Sequence, residues 1–180
     1  MALLFEAIVQ HRQGALAAAE ALYRRLLALP NPPIQAHLGH ARLLARRAGA
    51  RSAAEYLETA QANAADAALA REAALWWAEA GEYERALACL QQAQPLSRAA
   101  DSALLAGLYL LTARYAEAAA AYRHALAQSD ANPAWWLGLG LALDAEGDRD
   151  NAQTALRNAL DRGGLPPGAV SYVQSQLAQR

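Results

Sequence analysis

Apolar residues recur at spacings of three and four along nearly the whole chain, in stretches of about a dozen residues. Breakers separate the stretches: Gly14, residues 30–33, Gly49, Gly81, Pro95, Asn132 with Pro133, Gly147 and residues 163–168. The pattern predicts helices at about 2–13 and 15–29, 33–47 and 51–62, 67–80 and 83–94, 99–113 and 115–128, and 133–146 and 149–162. A last helix is predicted at about 168–179, with Val170, Val173 and Leu177 on one stripe and Gln174, Ser175, Gln179 and Arg180 opposite.

The pairs repeat with a period of about 34 residues. When residues 99–132 are laid over 133–166, Leu105 meets Leu139, Ala106 meets Gly140 and Tyr109 meets Leu143. Ala113 then meets Gly147, Ala118 meets Ala152, Tyr122 meets Leu156 and Ala125 meets Ala159. A fixed period of this size means stacked helix–turn–helix units. The units are expected at about 1–31, 32–65, 66–98, 99–132 and 133–165 of a single domain, residues 1–180, capped by the last helix. Such a stack directs the functional question to an extended binding surface.

Composition agrees with an all-α chain. Alanine and leucine supply 80 of the 180 residues, whereas there are two isoleucines and three valines. The net charge of −1 gives no bulk attraction to nucleic acid or to an anionic membrane. Residues 1–65 carry seven arginines and four acidic groups, and residues 66–180 carry nine and thirteen. Arg42, Arg46, Arg47 and Arg51 form the densest basic cluster and read as a solvated surface paired with Glu55 and Glu58. They lack the interleaved aromatics of a nucleic-acid site, so no nucleic-acid partner is expected.

Other candidate chemistry is sparse. His37 and His40 have metal-ligand spacing, but no third ligand stands at a neighbouring helical position, so no metal is expected. The single cysteine, Cys89, reads as a small buried hydrophobe. No phosphate-cradling glycine loop and no nucleophile–base grouping emerges from the spacing, so neither an enzyme nor a cofactor is expected. No apolar stretch is long enough to cross a membrane. Trp135 and Trp136 lie about 100° apart on one helix and cannot face the same core, which makes Trp135 either a candidate exposed anchor for a partner or a residue packed under the loop from the preceding unit. Leu3, Leu4, Phe5 and Ile8 would form an apolar N-terminal face through which two copies could pair. The pattern starts inside a helix, as in a piece of a longer protein.

Several stretches resemble tetratricopeptide repeats: residues 81–93 (GEYERALACLQQA), 113–126 (ARYAEAAAAYRHAL) and 136–160, which opens WLGLGLALDAEGD. The resemblance covers residues 1–162 and implies a right-handed α-solenoid that holds a protein or peptide partner. In the second unit Arg42 stands where the family usually has an aromatic residue. The resemblance implies a concave groove lined by the first helix of each pair. Its inward positions would be Ala36, His40 and Leu43; Arg71, Leu75 and Ala78; Ala103, Gly107 and Leu110; and Leu137, Leu141 and Asp144. Either this apolar groove takes a partner helix or extended peptide, or a tight superhelix packs these residues on one another. The family's carboxylate clamp is not expected, because its positions read His40, Leu75, Gly107 and Leu141. Residues 135–177 also resemble the repeat domain of accessory proteins of mannose-sensitive haemagglutinin type IV pili. That likeness implies a bacterial role in pilus biogenesis and a periplasm-facing domain. Two other roles remain open: a regulatory or targeting repeat domain of a larger enzyme, and a self-assembling module.

Overall fold

Helix–turn–helix pairs form here because each turn stops one helix and starts the next. Gly14, Gly81 and Gly147 take left-handed φ values of 80°, 77° and 86°, as does Ala113 at 57°. At each of these four turns the following amide reaches back five residues, from Ala15 to Gln10, Glu82 to Trp77, Arg114 to Tyr109 and Asp148 to Leu143. The left-handed residue itself bonds three residues back, which completes a Schellman closure. The computed structural model describes residues 2–93, 96 and 98–178. The breaker at Pro95 and the end of the C-terminal stripe, Gln179 and Arg180, lie outside the described residues.

Among the described residues there are eleven helices and no strand. The chain divides into two compact units, Met1–Gln94 and Pro95–Arg180. The first holds α1 (Ala2–Arg12), α2 (Leu16–Leu27), α3 (Ile34–Ala48), α4 (Ala50–Ala64), α5 (Ala67–Glu79) and α6 (Tyr83–Gln92). The second holds α7 (Ala99–Leu111), α8 (Tyr115–Gln128), α9 (Pro133–Glu146), α10 (Arg149–Asp161) and α11 (Pro167–Ala178). Within each unit successive helices pack as antiparallel neighbours, which is the all-α helical-repeat architecture expected from the period. α11 lies on α10 and buries Val173 completely, leaving Val170 and Leu177 half-buried, so the predicted capping stripe does cover the last pair.

Packing follows one rule in both units. A small residue near the start of each second helix is buried: Ala19, Ala53, Ala86, Ala118 and Ala152. One turn on, a larger residue enters the core: Tyr23, Leu57, Leu90, Tyr122 and Leu156. Where that residue is tyrosine, the next helix answers with glycine. A Cβ on Gly39 would overlap the Tyr23 ring, and one on Gly138 would overlap Tyr122. These are volume-matched contacts of the kind that close-packed interiors require.

The α3–α4 turn departs from the rule. Gly49 has φ 90° and ψ 167°, and its amide simply bonds Ala45 four residues back. Gly49 alone lies between α3 and α4, against two or three residues at the other turns, and α3 runs to 15 residues. The register itself is that of the last pair, because Gly39 stands as far before Ala53 as Gly138 does before Ala152. Counted from Ala53, Leu57 and Ala60 the unit begins at Ile34, two residues later than expected, because Leu38–Gly39 imitates the Leu–Gly pair of the repeat. Two residues rotate a helix face by about 200°. The position expected to be aromatic therefore falls on Leu44, and Arg42 is freed to point elsewhere.

Candidate functional site

The first helices of the pairs in the N-terminal unit, α1, α3 and α5, lie side by side. Ile8, His11 and Arg12 of α1 face Gln35, Leu38, Gly39 and Arg42 of α3 across a cleft of about 350 Å3, with Tyr23 in its wall. Arg42 donates to both carboxylate oxygens of Glu72 on α5, at 3.0 and 3.4 Å. Leu75 stands one turn beyond Glu72 and is 48% exposed, and Arg71 sits one turn before Leu75, half-buried. The face thus has apolar patches, Ile8 with Leu38 and then Leu75, between cationic side chains. His11 is held below its ordinary pKa first by burial, then by Arg46 and Arg42, so at neutral pH it meets the cleft as an uncharged ring.

Three residues expected on this face are elsewhere, for the register reason given above. Ala36 and Leu43 are buried in the core. His40 turns toward α4, with its ring edge-on to Tyr56 at 5.0 Å. His37 shares a 2.8 Å hydrogen bond with the Tyr56 hydroxyl. Burial lowers the pKa of both histidines and pushes Tyr56 up to about 12. These rings are structural, and no group of three His, Cys, Asp or Glu among the described residues is placed to hold a metal. The residues that take over the face, Gln35, Leu38 and Arg42, were legible only from α4, whose small–large–small pattern fixes the register.

Three of the four clustered arginines are paired, although not with the expected acids. Arg42 binds Glu72, Arg47 binds Glu20 at 3.4 Å, and Arg51 binds Glu82. Glu58 instead takes Arg85 at 2.6 Å and a hydrogen bond from the Cys89 thiol at 3.6 Å. Cys89 is buried as expected, and burial together with the Glu58 carboxylate pushes its thiol up to about 12. It is no nucleophile at neutral pH. The Arg85 guanidinium lies 3.5 Å from the centre of the buried Trp77 ring, with Arg51 at 5.8 Å.

In the C-terminal unit the expected positions divide between core and surface. Ala103 is buried; Gly107 and Leu110 on α7 and Leu137 and Leu141 on α9 are half-buried; Asp144 is exposed. Leu137 and Leu141 are one turn apart and form a continuous apolar stripe. Asp144 borders a polar pocket of about 250 Å3 with Arg149, Gln153 and Gln176. Trp135 is half-buried and, like Trp136, packs against the core of the C-terminal unit. The Trp136 indole donates to the Asp130 carbonyl at 2.9 Å, and Arg162 covers the ring at 4.7 Å while binding the Asp130 carboxylate. Both tryptophans are accommodated because the preceding loop folds over one of them.

This architecture is that of tetratricopeptide-repeat proteins. The TPR protein YrrB, described as having an unusual peptide-binding site, shares it with a TM-score of 0.80 at 17% identity, over 96% of this chain and 90% of that one. MamA shares it at 0.75 and 19% identity, over 87% and 93%. PilF of Pseudomonas aeruginosa matches at 0.77 and 18% identity, over 98% and 86%. No protein-family model matches the chain, and no curated protein does. At these identities the likeness concerns the fold.

Proposed function

We propose that this chain is a protein-interaction scaffold whose first helices hold an extended or helical segment of a partner protein. The observation that carries this is the α1–α3–α5 face, where an open cleft of about 350 Å3 and an exposed Leu75 lie between guanidinium groups. Apolar patches spaced along parallel helices suit side-chain anchors on a bound segment, and the polar rim fixes its direction. The peptide-binding site described for YrrB, a protein of the same fold, supports the reading. The apolar stripe of Leu137 and Leu141 offers the C-terminal unit a comparable surface.

The test is capture of partners from the native host by wild-type protein and by Leu75→Asp and Leu141→Asp, with circular dichroism to verify folding. An unpaired carboxylate in an apolar contact should abolish or strongly weaken capture. Folded variants that capture the same proteins undiminished would move the site off these faces. A narrower reading, an accessory role in pilus biogenesis, is supported by the sequence resemblance of residues 135–177 and by the fold shared with PilF. Loss of surface pili on deleting the gene, restored by wild type but not by Leu75→Asp, would sustain it; unchanged pili would refute it. Self-pairing through α1 is supported by Phe5, which is 71% exposed, and light scattering of wild type against Phe5→Ser tests it.

A further inference from the structure

A second groove lies between α2 and α3. Leu16 and Ala17 from the first turn of α2 and Leu43 from α3 supply its apolar lining, and Glu20, Arg46 and Arg47 complete it. Its volume, about 320 Å3, is at the lower end of the range of roughly 300–1,000 Å3 common for small-ligand pockets. It shares no lining residue with the α1–α3 cleft, so it is a separate place on the same unit.

Its charge is lopsided. Glu20 is the single acid in the lining and is already engaged by Arg24 at 2.6 Å and Arg47 at 3.4 Å. Arg46 is exposed and makes no ion pair among the described residues, and the Arg47 side chain is 69% exposed. The N-cap of α2 is Ala15, which offers no side-chain acceptor to the first-turn amides, and these add the positive end of a helix dipole at the Leu16–Ala17 edge. Arg46 and Arg47 also complement the negative end of α3, in whose last turn they lie. That role needs them only near the α3 carbonyls and leaves their outer faces unmatched.

We infer that the α2–α3 groove docks an acidic peptide segment of a partner protein, one bulky apolar side chain seated against Leu16, Ala17 and Leu43 with flanking carboxylates on Arg46 and Arg47. The complementarity is specific in kind: the lining selects an apolar anchor, and the unpaired Arg46 guanidinium, with Arg47 sharing Glu20 beside it, selects negative charge. Guanidinium–carboxylate pairing accommodates two parallel hydrogen bonds, which fixes the segment's direction. The site is independent of the scaffold face proposed above, and either can fail without the other.

The test uses a fluorescein-labelled peptide, acetyl-Glu-Asp-Phe-Leu-Glu-Asp-amide, and its Gln/Asn counterpart, read by fluorescence anisotropy with the whole chain. The acidic peptide should bind at least tenfold more tightly than the neutral one and weaken as salt rises from 50 to 300 mM. Arg46→Glu/Arg47→Glu should lose at least tenfold, Arg46→Lys/Arg47→Lys, which keeps the charge but not the paired hydrogen bonds, should fall between that variant and wild type, and Ala17→Trp, which fills the groove from an exposed position, should block it. Leu38→Asp, in the other cleft, should bind as wild type does. Circular dichroism checks each fold, and Arg46→Gln/Arg47→Gln serves if charge reversal unfolds the chain. Absence of acidic-peptide binding, binding indifferent to the Arg46/Arg47 and Ala17 variants, or preference for a single-stranded oligonucleotide over the peptide would each overturn the inference.

Discussion

The two compact units are built to the same period but held together differently. In Met1–Gln94 the helices are joined by ion pairs that cross between elements: Arg47 to Glu20, Arg42 to Glu72, Arg85 to Glu58 and Arg51 to Glu82. In Pro95–Arg180 two of the pairs are local, Arg98 with Asp101 and Arg114 with Glu117, three residues apart. There the close fit comes from glycines under large side chains, Gly138 under Tyr122 and Gly140 under Leu156, and from side-chain caps at Asn132 and Asp148. Geometric fit tolerates little change. Partly exposed charge networks tolerate more, and they leave clefts between the helices they bridge.

The largest effect should come from filling the glycine contacts. Gly138→Leu is expected to destabilise by about 3 kcal/mol, at the upper end of ordinary overpacking. Gly39→Leu, against Tyr23, should match it, because the same contact occurs in both units. Adding Tyr122→Ala to Gly138→Leu should recover part of the loss, with a coupling of about 0.5–3 kcal/mol in a double-mutant cycle by urea unfolding. Strict additivity would mean that the ring and the glycine do not touch.

A smaller contrast separates the ion pairs. Arg85→Ala removes the cation over Trp77 and the partner of Glu58, and should cost about 1 kcal/mol. Arg114→Ala loses a local exposed pair and a face of Tyr109, and should cost no more than about 0.5 kcal/mol. Equal losses would erase the distinction between cross-element and local pairing.

Comparison of the turns shows how much of the fold the sequence discloses. The eleven helices of the described residues are visible as three–four periodicity between breakers, and Ala113, aligned with Gly147 in the repeat, shares its left-handed backbone at φ 57°. Glycine at that turn should therefore be preferred, and Ala113→Gly is expected to stabilise by about 0.5–1 kcal/mol despite the extra chain entropy. A loss in thermal denaturation would contradict the turn geometry. The candidate face was less legible. Leu38–Gly39 looks like the Leu–Gly pair of the repeat, yet Gly39 is the glycine under Tyr23, two positions earlier in the unit, and that difference rotates His40 off the face and Arg42 onto it. The adjacent tryptophans both find cover, because the core takes one side of the helix while the loop folded back at Asp130 takes Trp136.

Acid should also distinguish the units, more gently. His37 and His40 have pKa values below the ordinary one because burial disfavours their charged form. The unfolded chain, with histidine near pKa ~6.5, then binds protons that the folded chain does not. Stability from these groups is thus full above about pH 6.5 and falls as the pH drops toward their folded values. Hydrogen exchange at pH 7.5 and 5.5, corrected for intrinsic rates, should show α3 and α4 losing protection ahead of α8 and α9. His37→Gln/His40→Gln should shrink that difference. Uniform loss across both units would assign the acid response to other groups.

The central claim is that the first helices of the pairs meet the partner. Its most direct test replaces Leu38, Leu75, Leu137 or Leu141, one at a time, with a photo-crosslinking amino acid in the native host. Arg25 and Ala120, exposed on second helices, serve as controls. The account predicts a shared crosslinked protein from the first-helix positions, with none of it from Arg25 or Ala120. Crosslinks to that protein from the second-helix positions, with the first-helix positions silent, would contradict it.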